Sequence, residues 1–172
     1  EFKKIDIDAA SRQRRVATLQ EKGAEKLAEL EERGGMRILL TGGTGFLGQE
    51  IICQVAGDST IEEVAVVIRP KVIRDRKTRE VIETLSPSQR GHKLLDDLGI
   101  TGEDERSRFR FIAGDIEQPL FGIEEAQVEL LRRSITHVIH CAASVSFDAA
   151  YDDSFKANVL GSRNALSFSL LL

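Results

Sequence analysis

The sequence predicts an α/β fold with a doubly wound parallel sheet. Two observations predict it. From Met36 onward, short apolar runs of strand length alternate with helical patterns. The first of these runs, Arg37-Ile38-Leu39-Leu40, leads straight into a glycine-rich stretch, Thr41-Gly42-Gly43-Thr44-Gly45-Phe46-Leu47-Gly48, which itself opens a helical pattern.

Strand, glycine-rich turn and helix together make the pyrophosphate site of a Rossmann-type unit. One glycine permits a turn closed to most side chains. A second lets the backbone approach a ligand, and a third lets the helix pack close to the strand. The helix N-terminus then offers unpaired N–H groups and partial positive charge to phosphates. The glycines fit two spacings: Gly43, Gly45 and Gly48 read G-x-G-x-x-G, while Gly42, Gly45 and Gly48 read G-x-x-G-x-x-G.

The remaining elements follow in order. The first strand is expected at about 36–41 and its helix at about 46–56, where Leu47, Ile51, Ile52 and Val55 form one face and Gly57 is placed to stop it. Val64-Ala65-Val66-Val67-Ile68 is a continuous apolar run, as suits a strand buried on both faces. A long connection follows, from Lys71 to Ser107. Its basic residues from Arg74 onward read as a solvated helix face. Later in it, Ser86-Pro87-Ser88-Gln89 has the form of a helix start, with Leu94, Leu95 and Leu98 as the face and Gly99 as the stop. A third strand is expected at about 108–113, with Phe109 and Phe111 on one side. Glu124 to Arg133 reads as a helix, 135–141 as a fourth strand, and a last helix runs from near Tyr151 to the end.

Residues 1–35 differ from the rest. Ser11 to Arg33 is rich in helix formers, but its apolar positions are sparse and Gly23 interrupts them. This predicts a helical extension or linker, docked loosely or joining an upstream domain, with residues 36–172 as the dinucleotide-binding domain. Four expected strands are fewer than the six common in such sheets. The apolar ending Ala165 to Leu172, the start at Glu1 and a single methionine, Met36, suggest the N-terminal part of a longer polypeptide, with the sheet incomplete.

Composition excludes several classes. A 41% hydrophobic content is too high for disorder, and a net charge of −4 argues against a general nucleic-acid binder. No apolar run reaches membrane-spanning length, and no signal peptide is visible. Only Cys53 and Cys141 occur, both in apolar runs. They read as reduced, buried cysteines, which favours a cytoplasmic location.

Ligands bind such sheets at the carboxyl ends of the strands. An acidic residue ending the second strand would suit the ribose 2′-hydroxyl of NAD. This chain has Arg69 there, followed by Pro70 and Lys71, and an Arg fork suits a 2′-phosphate instead. Asp115, ending the third strand, suits either a hydrogen bond from an adenine amino group or a turn cap. At the end of the fourth strand, His140-Cys141-Ala142-Ala143-Ser144 is small enough for a cofactor to lie against the backbone. No metal-ligand spacing accompanies His140 or Cys141, so no metal is expected.

These motifs resemble those of the extended short-chain dehydrogenase/reductases: the glycine stretch, Gly114-Asp115-Ile116, His140-Cys141-Ala142-Ala143 and Asn158-Val159-Leu160-Gly161. Within that group the chain looks most like the fatty acyl-CoA reductases and the thioester reductase domains of carrier-protein-dependent synthetases. Val67-Ile68-Arg69-Pro70, the segment from Gly114 to Ile123 and the segment from Thr136 to Phe147 carry that likeness. The resemblance implies an NADPH-dependent reductase of acyl thioesters, held on coenzyme A or on an acyl carrier protein, yielding aldehyde or alcohol.

It also implies roles for particular residues. Gly42, Gly45 and Gly48 would hold the pyrophosphate, and Thr44, Phe46 and Leu47 would also bind the cofactor. Arg69 would take the 2′-phosphate of NADP, and Lys71 would also bind the cofactor. Asp115 and Ile116 would flank adenine, and Cys141, Ala142 and Ala143 would line the cofactor groove. Asn158 would sit in the helix supporting the active site. The group's catalytic Tyr-x-x-x-Lys pair has no match: the only tyrosine is Tyr151, with Phe155 where the lysine would stand and Lys156 one position too far. Catalytic residues are therefore unassigned, and the chain by itself is expected to be inactive. A sugar-nucleotide epimerase or dehydratase of the same superfamily, and a non-catalytic NADP-sensing module, are the alternatives.

Overall fold

The computed structural model describes residues 35–146 and 148–172, with residues 10, 13, 14, 17, 18, 20 and 21 nearer the start. The chain divides into two compact units, Glu1–Gly35 and Met36–Leu172. In the first, the seven described residues ahead of Gly35 are helical, and Gly35 itself lies in a bend. The rest of the expected Ser11–Arg33 helix lies outside the described residues.

The second unit is built on four parallel strands, β1 (Met36–Thr41), β2 (Ile61–Ile68), β5 (Phe109–Ala113) and β6 (His137–His140), in the order β5-β2-β1-β6. This is the expected α/β doubly wound sheet. Alternation along the strands feeds two separate cores. Ile38, Leu40, Val64 and Val66 face one way, against Ile52 and Val55 of α1 (Phe46–Ala56) and Leu94 and Leu95 of α2 (Pro87–Asp97). Leu39, Ala65, Val67 and Ile112 face the other way. There they meet Val128 and Leu131 of α4 (Glu125–Ser134) and Ala165 and Phe168 of α6 (Gly161–Ser169). Truncating a fully buried leucine such as Leu39 or Leu40 costs about 2–5 kcal/mol.

The expected start of α2 is present: the Ser86 hydroxyl accepts from the Gln89 N–H, and the Gln89 side chain accepts from the Ser86 N–H at 2.8 Å. Gly99 follows in the left-handed region, at φ 73°. Gly57 does end α1, but in right-handed conformation, at φ −80°. The carbonyls there are met by Arg108 instead, whose guanidinium donates to those of Ala56, Asp58 and Ile61.

Three expectations need correction. The segment from Arg74 is not a helix face. Lys71–Arg74 (β3) and Val81–Leu85 (β4) pair antiparallel as a hairpin, followed beyond α2 by the short helix α3 (Glu103–Ser107). Val72, Ile73, Val81 and Ile82 are β-branched and suit a strand, and Asp75 closes the turn by accepting from the Lys77 and Thr78 N–H groups. The last helix is not uniform. α5 (Tyr151–Phe155) passes through a π-helical turn, Lys156–Leu160, into α6, which ends at Ser169. And Cys53, a free thiol, is exposed, because it lies on the outer face of α1 away from Ile52 and Val55. Among the described residues no helix is long and apolar enough to cross a membrane.

Candidate functional site

The register of the sheet sets Thr41 level with Val67 on one side and His140 on the other, and Ile68 level with Ala113. All four carboxyl ends therefore open on one edge. Between them lies a cleft of about 490 Å³, a volume usual for a small-molecule site.

Its floor is the turn after β1. Gly42 has φ 77°, and the Gly45 N–H closes the turn on the Gly42 carbonyl at 2.9 Å. Gly48 packs so tightly that a β-carbon there would lie 2.1 Å from the Gly42 oxygen. Gly45 caps α1 without a side-chain hydrogen bond. Helix geometry thus leaves the N–H groups of Phe46, Leu47 and Gly48 without a partner in their own helix, ready for an anion. Phe46 is 95% and Leu47 57% exposed, so neither side chain is anchored in the core.

Arg69 leaves β2 at the cleft's second corner, with its side chain 64% exposed. Its Nη1 stands 3.9 Å from Asp115 Oδ2 and 4.0 Å from Glu117 Oε1. Such long, wet pairs contribute little, so the guanidinium remains available to a stronger anion. Arg90, on α2, donates to the Arg69 carbonyl and also lines the cleft. Lys71 opens β3 and does not line it.

The loop after β5 supplies Gly114, Ile116 and Glu117 to the lining. Asp115 takes one of the two roles its sequence position allowed, the turn cap: Oδ1 accepts the Glu117 N–H at 3.1 Å, while Oδ2 faces Arg69. On the opposite wall, Cys141, Ala142, Ala143 and Ser144 follow β6. Asn158 clamps this wall, its Oδ1 accepting from the Ser144 N–H at 2.7 Å and its Nδ2 donating to the Ser144 carbonyl at 2.9 Å. Below, Thr41 Oγ1 and His140 Nδ1 are 2.6 Å apart. Burial holds the His140 imidazole below its usual pKa and pushes the Cys141 thiol up. Both groups are thus neutral near pH 7, which suits a wall better than a nucleophile. Among the described residues no cluster of His, Cys, Asp or Glu is arranged to hold a metal ion.

The structure thus gathers Gly42, Thr44, Gly45, Arg69, Ile116, Cys141, Ala142 and Ala143 around one space. It adds Arg90, Glu117, Asp153 and Ala157, which sequence reasoning had not singled out as site residues. Arg90 lies in the first turn after the Ser86 cap, a position that helical phasing alone does not direct toward the cleft. The space suits a dinucleotide: the glycine turn leaves room for a pyrophosphate against the helix N-terminus, and two arginines stand at one end.

Comparison with known proteins agrees. The profile of the male sterility protein family matches residues 40–171. Human (Homo sapiens) fatty acyl-CoA reductase 1 is 31% identical over 133 residues, 77% of this chain and 25% of that protein. The crystal structure of the terminal R domain from the myxalamid PKS-NRPS biosynthetic pathway superposes with a TM-score of 0.62 at 28% identity, covering 79% of this chain and 32% of the other. A thiolation-reductase di-domain from an archaeal non-ribosomal peptide synthetase superposes with a TM-score of 0.55 at 26% identity, covering 80% and 33%. The chain therefore spans about a quarter to a third of the length of these relatives.

Proposed function

Because this chain belongs to the male sterility protein family of the extended short-chain dehydrogenase/reductases, we propose that it forms the NADPH-binding part of an acyl-thioester reductase. The family is one of oxidoreductases that use a nicotinamide dinucleotide. NADP as the particular form, a thioester on coenzyme A or a carrier protein as substrate, and an aldehyde or alcohol as product belong to the proposal. So do an upstream domain joined through residues 1–35 and a cytoplasmic location.

The observation that carries it is the cleft over the strand ends, with Gly42 at its floor and Arg69 at its rim. The N–H groups of Phe46, Leu47 and Gly48 would bind the pyrophosphate. Arg69 would bind the 2′-phosphate by paired charge-assisted hydrogen bonds. Asp115 and Ile116 would border the adenine. Cys141, Ala142 and Ala143 would keep one face of the groove narrow and free of competing charge, while Asn158 holds Ser144 and so orients that wall. When bound, NADPH supplies the two electrons and the hydrogen that reduce an acyl carbonyl. No residue of this chain is assigned the proton donor, since general acid catalysis needs a positioned acid and Tyr151 lacks a lysine at the required spacing.

Calorimetric titration of the protein with NADPH and NADH tests the proposal. Binding of NADPH at least about tenfold tighter is expected, as for one charge-assisted interaction gained. Absence of binding to either dinucleotide would reject it.

A further inference from the structure

One helical run reaches both walls of the cleft. α5, the π turn and α6 follow one another from Tyr151 to Ser169. Asn158, in the π turn, holds Ser144 on the β6 side. Asn164, in α6, is 4% exposed, and its Nδ2 donates to the Ile116 carbonyl at 2.8 Å on the β5 side. The partner is a carbonyl, so the amide must turn its nitrogen to it.

The position is otherwise apolar. Ala165 and Phe168 lie beside it in the core, where an amide without a partner costs free energy. Its neighbours grip the same loop. Gly161 leaves room for Ile116, since a β-carbon there would lie 2.9 Å from Ile116 Cδ1. Phe168 stacks on Phe121 with ring centroids 5.2 Å apart. The Phe121 carbonyl accepts the Asp115 N–H at 2.7 Å. The loop needs such support, because Leu120 and Phe121 sit at φ 50° and 59°, where L residues are strained.

We infer that Asn164 is a positioning residue for the dinucleotide: through the Ile116 carbonyl it fixes the Asp115–Glu117 wall against the adenine end. The same helical run carries Asn158, so the two walls are held in one relation to each other. The inference rests on the cofactor reading above and deepens it.

The test compares the unaltered protein with Asn164→Leu, which keeps the bulk and removes the donor. The comparison variant is Ile100→Val, which trims the core on the other face of the sheet. Each is titrated with NADPH and with its hypoxanthine analogue, in which the adenine amino group is replaced by oxygen. The unaltered protein should prefer NADPH. Asn164→Leu should bind NADPH about tenfold more weakly and lose that preference, whereas Ile100→Val should lower the Tm and keep it. If Asn164→Leu does not fold, Asn164→Ser, which retains a shorter donor, carries the same comparison. An Asn164 variant that keeps the preference while its Tm falls would overturn the inference and leave the cofactor reading intact. Equal binding of the two dinucleotides by the unaltered protein would also overturn it. Binding of neither would remove the cofactor reading and the inference together.

Discussion

A β-carbon on Gly42 would stand 2.4 Å from the backbone nitrogen of Ala142. The two residues follow β1 and β6, neighbouring strands of the sheet. Their backbones meet where those strands open on the cleft, and no side chain fits between them.

Gly42→Ala should therefore damage the fold. Its φ of 77° costs an L residue about 1–2 kcal/mol, and the clash is with backbone, which no rotamer relieves. A lower Tm and loss of NADPH binding are expected from thermal denaturation and calorimetry. An unchanged Tm would remove the close approach from the account.

Gly45→Val should act differently. Gly45 is extended, at φ −86° and ψ 170°, and a β-carbon would meet only the Gly42 oxygen, at 3.3 Å. The sheet should form with its circular-dichroism spectrum preserved, while the added side chain fills space a pyrophosphate needs. Unchanged NADPH affinity would show that the phosphates lie elsewhere.

Arg69→Ala should weaken NADPH binding by about 1–3 kcal/mol and leave NADH nearly unaffected, as for loss of a charge-assisted hydrogen bond. Equal losses for both would mean that Arg69 does not distinguish them.

Glu117→Gln should strengthen NADPH binding several-fold. The Glu117 carboxylate stands 4.0 Å from Arg69 Nη1 and competes with a 2′-phosphate for it. The gain should shrink as salt is raised, because the site is partly exposed. A loss of affinity would instead make Glu117 a ligand.

Stability should fall in acid through His140. Burial holds its pKa below the usual 6.5, so the unfolded chain binds this proton more readily than the folded one. Stability contributed by the neutral imidazole is present above pH 6.5 and is lost as pH falls from there through the folded-state pKa. Urea denaturation across that range should show the decline, and His140→Asn should reduce it. An identical pH profile in the variant would assign the acid sensitivity to other groups.

Local chemistry made much of this legible. The Ser86-Pro87-Ser88-Gln89 cap, the continuous run through β2 and the glycine turn each depend on residues close in sequence, and each is present. Where the sequence misled, a local signal was outweighed. The basic residues from Arg74 onward suggested a helix face, but the β-branched residues flanking the turn paired across it. Cys53 lies in an apolar run, yet the helical phase turns it outward while Ile52 beside it is fully buried.

The sequence by itself determined the parallel sheet, the glycine turn at its switch point and the arginine at the end of β2, because each follows from strand periodicity and from backbone conformations that few residues tolerate. Only the tertiary structure decided that Arg90 and Glu117 join Arg69, and that Asn164 reaches Ile116, 48 residues away. Contacts between helix faces and strand-end loops depend on how layers pack and at what phase each helix meets the sheet. No spacing along the chain encodes that phase.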